Sequence, residues 1–426
     1  MEEYRISLAL PHRPDSPQLA AALAAAVPQP VRAIAATLLT SGYAVAVVGG
    51  CVRDGLLGTT PPDFDLATSA APEAVLGLFP RAIPIGLRHG TVMIPSATGP
   101  VDVTRFRGRS LSEDLRRRDF TINAMALELG GEPVFVDPTG GHRDLAQGIL
   151  RAPGDAGERL TDDPLRAIRA ARFVAQLGVE PDSALREALP AHASAAANLA
   201  GERIRLELER LLVGPYVERG LLLLREIGVE HLLVPGVRPD AARITGAVPP
   251  QLTLRLAAWL RETQAGARLR KLRFPSRTAT AVERRVAAHP ARDWPTGGPG
   301  LRKLRRRLGD EGLAAVLALG HAEITAAADG LDGAAADRLE RVEAALAELR
   351  RTGALDVERA TLAAGGEDVM RWLGCRPGPA VGRALRWLTE RVAEDPTQND
   401  PERLRALLAD YLADGASSLD ARKAEE

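Results

Sequence analysis

The chain has 426 residues, with 55 basic and 55 acidic side chains, 46% hydrophobic residues and only 4% aromatic ones. That length exceeds one domain of roughly 100–200 residues, and neutrality excludes a globally basic molecule, so any polyanion-binding surface must be local. Two distant cysteines, Cys51 and Cys375, give neither a disulfide framework nor a zinc site; no apolar run approaches the ~20 residues of a membrane span, and the N-terminus has no basic-then-apolar leader, so a cytoplasmic protein with no membrane partner is expected.

Prolines at 11, 14, 17, 28 and 30 around an alanine-rich patch predict a surface arm, a helix and a break. Val31 to Thr40 is amphipathic, with Ile34, Leu38 and Leu39 on one face, and should pack on a strand, Ala44–Val48. Arg53 to Leu57 reads as a short helix. Pro61-Pro62 forces extension into a strand, Asp63–Ala67, with Phe64 directed into the core. A helix from Pro72 to Phe79 follows, with Ser69 as its expected cap. Thr91–Ile94 and Val101–Phe106 read as strands. Ala124–Leu129 and Val134–Val136 read as a hairpin around Gly130-Gly131. Residues 41–150 thus form a compact domain of short mixed strands, without the βαβ rhythm of a Rossmann sheet.

From Pro164 onward helical periodicity dominates, as in Leu165, Ile168, Ala171 and Val174, or Ile204, Leu208, Leu211 and Leu212. Breaks fall near Pro235–Pro250, Pro290–Gly300 and Gly374–Pro379. The fold class is therefore α+β, with a small mixed sheet at the head of a long all-α remainder.

The chemistry concentrates in Val47-Val48-Gly49-Gly50-Cys51-Val52-Arg53-Asp54 and in Asp63-Phe64-Asp65. Gly49 and Gly50 let backbone approach a ligand closely, and free N–H groups at a turn opening a helix suit phosphate. Cys51 reads as a small packed residue. Asp63 and Asp65, two apart on an extended chain, point to one face. Asp102 lies on a strand that could neighbour theirs, about 4.8 Å away. Close carboxylates repel unless a cation intervenes. Asp63 and Asp65 are thus candidates to hold two Mg²⁺ ions, and Asp102 to share one metal and help deprotonate an attacking hydroxyl.

Arg117-Arg118-Asp119-Phe120-Thr121-Ile122-Asn123 is a second polar cluster. Arg118 suits phosphate, Asp119 a ribose hydroxyl, and Asn123 could fix the loop. Asp137, before Gly140-Gly141, reads as a turn cap. In Asp162-Asp163-Pro164-Leu165-Arg166, an aspartate caps a helix whose Arg166, Arg169 and Arg172 recur every three residues along one face. Asp163 offers acceptors and Arg166 donors, a pair suited to the edge of cytosine. Later, Arg261, Arg268, Arg270, Lys271, Arg273, Arg277, Arg284 and Arg285 are opposed locally only by Glu262 and Glu283, and Arg302 to Arg307 adds more charge. That excess points to structured RNA held by its backbone.

Together these stretches resemble motifs A to E of the class II tRNA nucleotidyltransferases, the family of CCA-adding enzymes and bacterial poly(A) polymerases, in unbroken order over roughly residues 44–215. Motif A is matched by Val48–Asp54 and Asp63–Thr68, B by Arg117–Ala124, C by Asp137–Asp144, D by Asp162–Arg166 and E by Arg203–Leu208. The resemblance implies an N-terminal arm and helix (1–40), a catalytic polymerase-β-type head (41–150), a nucleotide-reading neck (151–215), a body (216–310) and a tRNA-binding tail (311–426). It implies tRNA, CTP and ATP as partners, with Mg²⁺. Gly50 and Arg53 would contact the nucleotide, and Arg118, Asp163, Arg166, Arg169 and Arg172 would line its pocket. Asp162 stands where the family usually has Glu.

Only Gly108 to Leu111 separates Arg105-Phe106-Arg107 from Ser112, where CCA-adding relatives carry a longer flexible loop. The resemblance is therefore greatest to the CC-adding subfamily, which leaves the terminal A to a separate A-adding enzyme. Full CCA addition is the alternative, and a poly(A) polymerase a more distant one. Ile85 to Val92 has the tRNA-enzyme form, with His89 expected to be structural. A catalytically silent RNA-binding relative is opposed by the intact Asp63, Asp65, Asp102 and Arg118.

Overall fold

In a computed structural model of the chain, the structure describes residues 17–86, 90–326, 333–353, 355 and 362–411. The expected arm before Pro17, and His89, lie outside these residues. The chain divides into two compact units, one of residues 1–236 with 271–273, the other of 237–270 with the remainder.

The first unit opens with α1 (Pro17–Ala26) and α2 (Gln29–Thr40), followed by β1 (Val45–Val48), α3 (Gly50–Leu56), β2 (Phe64–Thr68) and α4 (Pro72–Leu78). Next come β3 (Ile83–Gly86), β4 (Thr91–Ser96), β5 (Gly99–Arg105), α5 (Leu111–Arg116), β6 (Ala126–Glu128) and β7 (Val134–Val136). These seven strands form one sheet in the order β3-β4-β5-β2-β1-β6-β7. β2 and β5 run parallel; every other neighbouring pair is antiparallel. All four residues of β1 are buried, as a central strand covered on both faces requires. On one face Ala46, Val48, Ala67 and Ala126 pack under Leu111 and Leu115 of α5. α2 lies against β1 and β2, and α1 against β6 and β7.

Two local expectations need correction, and one strand was missed. Ser69 does not cap α4; its Oγ accepts from the Ala44 amide at 2.9 Å, tying β2 to the start of β1. Phe64 is half-buried rather than a core residue, because it begins its strand at the open end of the sheet. β3 was not legible, since Pro84 interrupts the strand signal; proline is tolerated there because β3 is an edge strand with an irregular register.

α6 (Gly141–Ala146), β8 (Ile149–Leu150) and α7 (Ala156–Asp162) lead into α8 (Leu165–Leu177), whose face of Ile168, Ala171 and Val174 is buried. β9 (Glu180–Pro181) pairs with β8, and α9 (Ser183–Ala188) and α10 (Ala193–Ala197) follow. α11 (Gly201–Leu212) and α12 (Val217–Glu226) both pack on α8, and α13 (Val229–Leu233) ends the run. α12 approaches α8 closely enough that a Cβ on Gly220 would sit 2.6 Å from the Ala175 Cβ and 2.7 Å from the Ala171 carbonyl.

The second unit is helical: α14 (Ala241–Ala247), α15 (Leu252–Trp259), α16 (Ala265–Lys271), α17 (Ser276–Ala288), α18 (Gly298–Thr325), α19 (Gly333–Arg351), α20 (Gly366–Leu373) and α21 (Pro379–Glu394). α18 is broken at Gly309, where φ is +69°. Leu313, Val316, Leu339, Val342 and Leu346 form one core between α18 and α19. Val369, Leu385, Leu388, Leu404 and Leu408 form another. No single helix among the described residues is long and apolar enough to cross a membrane.

Candidate active site

A cavity of about 530 Å³ opens in the first unit, floored by the β1–α3 turn and walled by α8. Gly49 makes the turn at φ +82°. A side chain there would be strained, and its Cβ would lie 3.1 Å from Arg118 Nη1 and 3.9 Å from Asp65 Oδ2. The Gly49 N–H is not free, since it donates to the Met125 carbonyl at 3.1 Å. Cys51 is buried, with Sγ 3.3 Å from the Val48 carbonyl. Burial pushes its thiol up to about 12, the behaviour of a packing residue rather than a nucleophile.

The parallel pairing of β2 and β5 sets Asp65 directly opposite Asp102. Asp63 precedes β2 by one residue and acts on both of the others. Burial raises the Asp65 carboxyl to about 6, reinforced by Asp63 and Asp102 and opposed by Arg118. Burial and then Asp63 raise Asp102 as well. The three acids thus form an under-neutralised cluster, as a divalent-cation site would require. Among the described residues no three such ligands converge tightly enough to hold a metal alone. A substrate's phosphates would therefore have to supply the remaining oxygen ligands.

The cavity's arginines are mostly fixed by acids. Arg53 Nε donates to Asp54 Oδ1 at 2.9 Å and Arg53 Nη1 to Asn123 Oδ1 at 2.5 Å. Arg118 Nε and Nη2 donate to Asp114 Oδ2 at 3.1 and 3.0 Å, which leaves Nη1 facing Gly49. Asp119 accepts from the Phe120 amide at 2.9 Å, from Asn123 and from Arg169 Nε at 3.0 Å. Burial would raise this carboxyl, but Arg169 and these donors hold it well below the usual carboxylate range. Asp119 is therefore already engaged as an anchor, and Asn123 fixes the loop as expected.

On α8, Arg169 and Arg172 both bond to Glu207 of α11, and Arg172 Nη1 also donates to Gln176 Oε1 at 2.6 Å. Burial lowers Arg172 to about 10, against the opposing charge of Glu207, so it stays cationic near neutrality. Its guanidinium lies 3.8 Å from the Phe173 ring centroid. This stripe is not a solvated face: Arg166 and Arg172 are buried, and the acid that Arg169 and Arg172 lack on their own helix is Glu207 of α11. A buried arginine needs an acceptor, and that demand was the one signal that could have singled out Glu207 within Arg203–Leu208. Asp114, Gln176 and Arg210 carried no comparable signal.

Asp163 and Arg166 do not line this cavity. Asp163 caps α8 through the Leu165 amide at 3.2 Å and accepts from Arg203 Nη2 at 3.1 and 2.9 Å. Arg166 donates to the carbonyls of Arg159 and Arg117 at 2.8 and 3.0 Å. It still feels the charge of Asp119. Asp137 is structural, accepting from the Gly141 and His142 amides at 2.8 and 2.9 Å.

Residues 106–110 form a short loop held at several points. The Arg107 amide donates to Asp114 Oδ1 at 3.0 Å and the Arg109 amide to Glu113 Oε2 at 3.0 Å. Ser110 Oγ caps α5 through the Glu113 amide at 3.2 Å, and Arg117 bonds the Arg107 carbonyl.

Residues 45–151 match the family model described as the poly A polymerase head domain. Residues 178–240 match one described as a probable RNA and SrmB-binding site of polymerase A. The chain is 33% identical over 404 residues to the CCA-adding enzyme of Geobacillus kaustophilus, covering 86% of this chain and 93% of that one. It is 43% identical over 202 residues to the CC-adding tRNA nucleotidyltransferase of Shouchella clausii, covering 47% of this chain and 53% of that one. Among solved structures, the Bacillus stearothermophilus CCA-adding enzyme in complex with CTP superposes with a TM-score of 0.71 at 30% identity, over 92% of this chain and 98% of that one. The Thermotoga maritima CCA-adding enzyme complexed with tRNA superposes at 0.65 with 20% identity, over 93% and 98% respectively, a likeness of fold.

Proposed function

Because this chain belongs to the family of tRNA nucleotidyltransferases that includes the CCA-adding enzymes, we propose that it adds cytidines from CTP to the 3′ end of tRNA, releases pyrophosphate and stops after two additions. The observation that carries the stopping point is the loop at 106–110. It is short, and its backbone is tethered to Glu113 and to Asp114, which also holds Arg118 of the cavity, so this segment has little freedom to rearrange for a second nucleotide. The 43% identity to a CC-adding relative supports the same reading.

Asp63 and Asp65 would hold Mg²⁺, which when bound supplies Lewis-acid stabilisation of the attacking and leaving oxygens at the α-phosphorus. Asp102, with its raised affinity for protons, sits in register to take the proton of the attacking 3′-hydroxyl. Gly49 and Gly50 admit the triphosphate against backbone, and Arg118 turns its unpaired Nη1 toward it. Arg53, Asp119, Arg169 and Arg172 form the frame that keeps the pocket arginines extended before substrate arrives. Asp163 and Arg166 present an acceptor and a donor beside that frame, suited to the cytosine edge. In this division of labour, residues 41–150 carry the chemistry, 151–215 read the nucleotide, and 216–310 and 311–426 grip the acceptor.

The 33% relatives that span nearly their full length are CCA-adding enzymes, which favours full CCA addition as the second reading. The test supplies CTP and ATP separately to a tRNA ending at its discriminator base and to one ending in CC. We expect label from CTP on the first and none from ATP on either. Robust addition of ATP to the CC-ending tRNA would replace CC addition by CCA addition.

A further inference from the structure

The charges lining the cavity balance in pairs, except for two acids and one cation. Arg53 is matched by Asp54, Arg118 by Asp114, Arg169 by Asp119, and Arg172 by Glu207. The acids left over are Asp63 and Asp65. The cation left over is Arg210, which lines the cavity from α11, is exposed, and has no acceptor within bonding distance among the described residues. Arg210 lies three residues beyond Glu207 and so follows it on the same face of α11. Glu207 bonds Arg172, and Arg172 bonds Gln176. Arg210 therefore stands on the Arg172–Gln176 side of the cavity.

A metal–nucleoside triphosphate satisfies both exceptions at once, bringing cations to the aspartates and an anion to the arginine. The side chains suited to the base, Asp163 and Arg166, lie outside this cavity, so its occupant is the triphosphate rather than the base. Resting on the nucleotidyl-transfer reading above, we propose that Arg210 binds the terminal phosphate of the incoming nucleotide and keeps hold of the pyrophosphate as it leaves. A guanidinium suits this role because its planar fork offers two parallel donors to one phosphate.

The competing source of a phosphate here is the backbone of the acceptor strand, and the experiment separates the two. Full-length wild type, Arg210→Ala and Arg210→Lys are titrated with CTP and with CDP in Ca²⁺, and with tRNA lacking its CCA end. We expect Arg210→Ala to weaken CTP binding about tenfold or more, with CDP and tRNA affinities unchanged and part of the loss recovered in Arg210→Lys. Equal weakening of CTP and CDP, or a loss confined to tRNA, would overturn the assignment while leaving nucleotidyl transfer intact. Wild-type protein that binds neither nucleotide would overturn nucleotidyl transfer itself, and this proposal with it. Unchanged thermal unfolding is expected in both variants, since the side chain has no fixed contact to lose.

Discussion

At the scale of single residues, the site is governed by which charges have partners. Asp65, raised to about 6 from an ordinary 3.8, prefers its proton in the folded protein. A carboxyl with a raised folded value contributes stability that is fully present below about 3.8 and is lost as pH climbs through about 6. The metal-free protein is thus strained at neutral pH by its own carboxylates, and a divalent cation relieves that strain. We expect Mg²⁺ to raise the melting temperature more at pH 8 than at pH 5, and kcat/KM to fall on the acid side near pH 6. In Asp65→Asn the metal-dependent stabilisation should shrink and lose its pH dependence. An equal Mg²⁺ effect at both pH values in the wild type would count against a metal on this cluster. Asp63 and Asp65 were legible in the sequence because strand alternation is a local rule, and Asp102 because it lies on a readable strand, although only the pairing of β2 with β5 sets it opposite Asp65. Glu207 was not, because its partners Arg169 and Arg172 are more than thirty residues away and only the packing of α11 on α8 brings them together.

At the scale of elements, the arginines of α8 are only as well placed as α8 itself. Its position depends on close approach by α12, where Gly220 leaves no room for a Cβ. The obstacles are backbone and a Cβ, not the end of a flexible chain, so neither can swing aside. Gly220→Ala should therefore cost about 1–3 kcal/mol through overpacking, measured by denaturant unfolding. It should also raise KM for CTP, because a displaced α8 carries Arg169 and Arg172 with it. A variant as stable as wild type would mean that α12 shifts without moving α8. The helices here were readable because their apolar residues recur with the helical period, and β1 because a run of valines ends in a glycine turn. β3, β8 and β9 were not, being either interrupted by proline or only two residues long. Ser69 shows the same limit: a serine just before a helix reads as a cap, yet the amide of Ala44, adjacent only through sheet pairing, claims it.

At the scale of the whole molecule, the fold pairs charges that lie far apart along the chain. The basic tract from Arg261 to Arg285 is opposed locally only by Glu262 and Glu283, and Arg302 to Arg307 adds more charge, but much of it is paired in the fold. Arg261 is buried against Asp240 and Glu323, Arg270 meets Glu283, Arg285 meets Glu311, and Arg305 meets Asp310. Most of those acids are distant in sequence, which is why local counting overstated the excess. Arg277, Arg284, Lys303 and Arg307 remain exposed, with no acceptor among the described residues. If this unit grips the acceptor through its phosphates, these four side chains of the tract are free to turn toward them, and the paired arginines serve packing. The double variant Arg277→Glu, Arg284→Glu should then raise KM for tRNA, leave KM for CTP unchanged, and flatten the salt dependence of tRNA affinity by about one phosphate contact per side chain removed. Reversing Arg270, whose partner Glu283 already neutralises it, should have a smaller effect on tRNA. If reversal at Arg270 cost as much as reversal at Arg277 and Arg284, a diffuse field would be at work rather than contacts made by the unpaired cations, because a field counts every charge while a contact needs a side chain that is free to turn toward the phosphate.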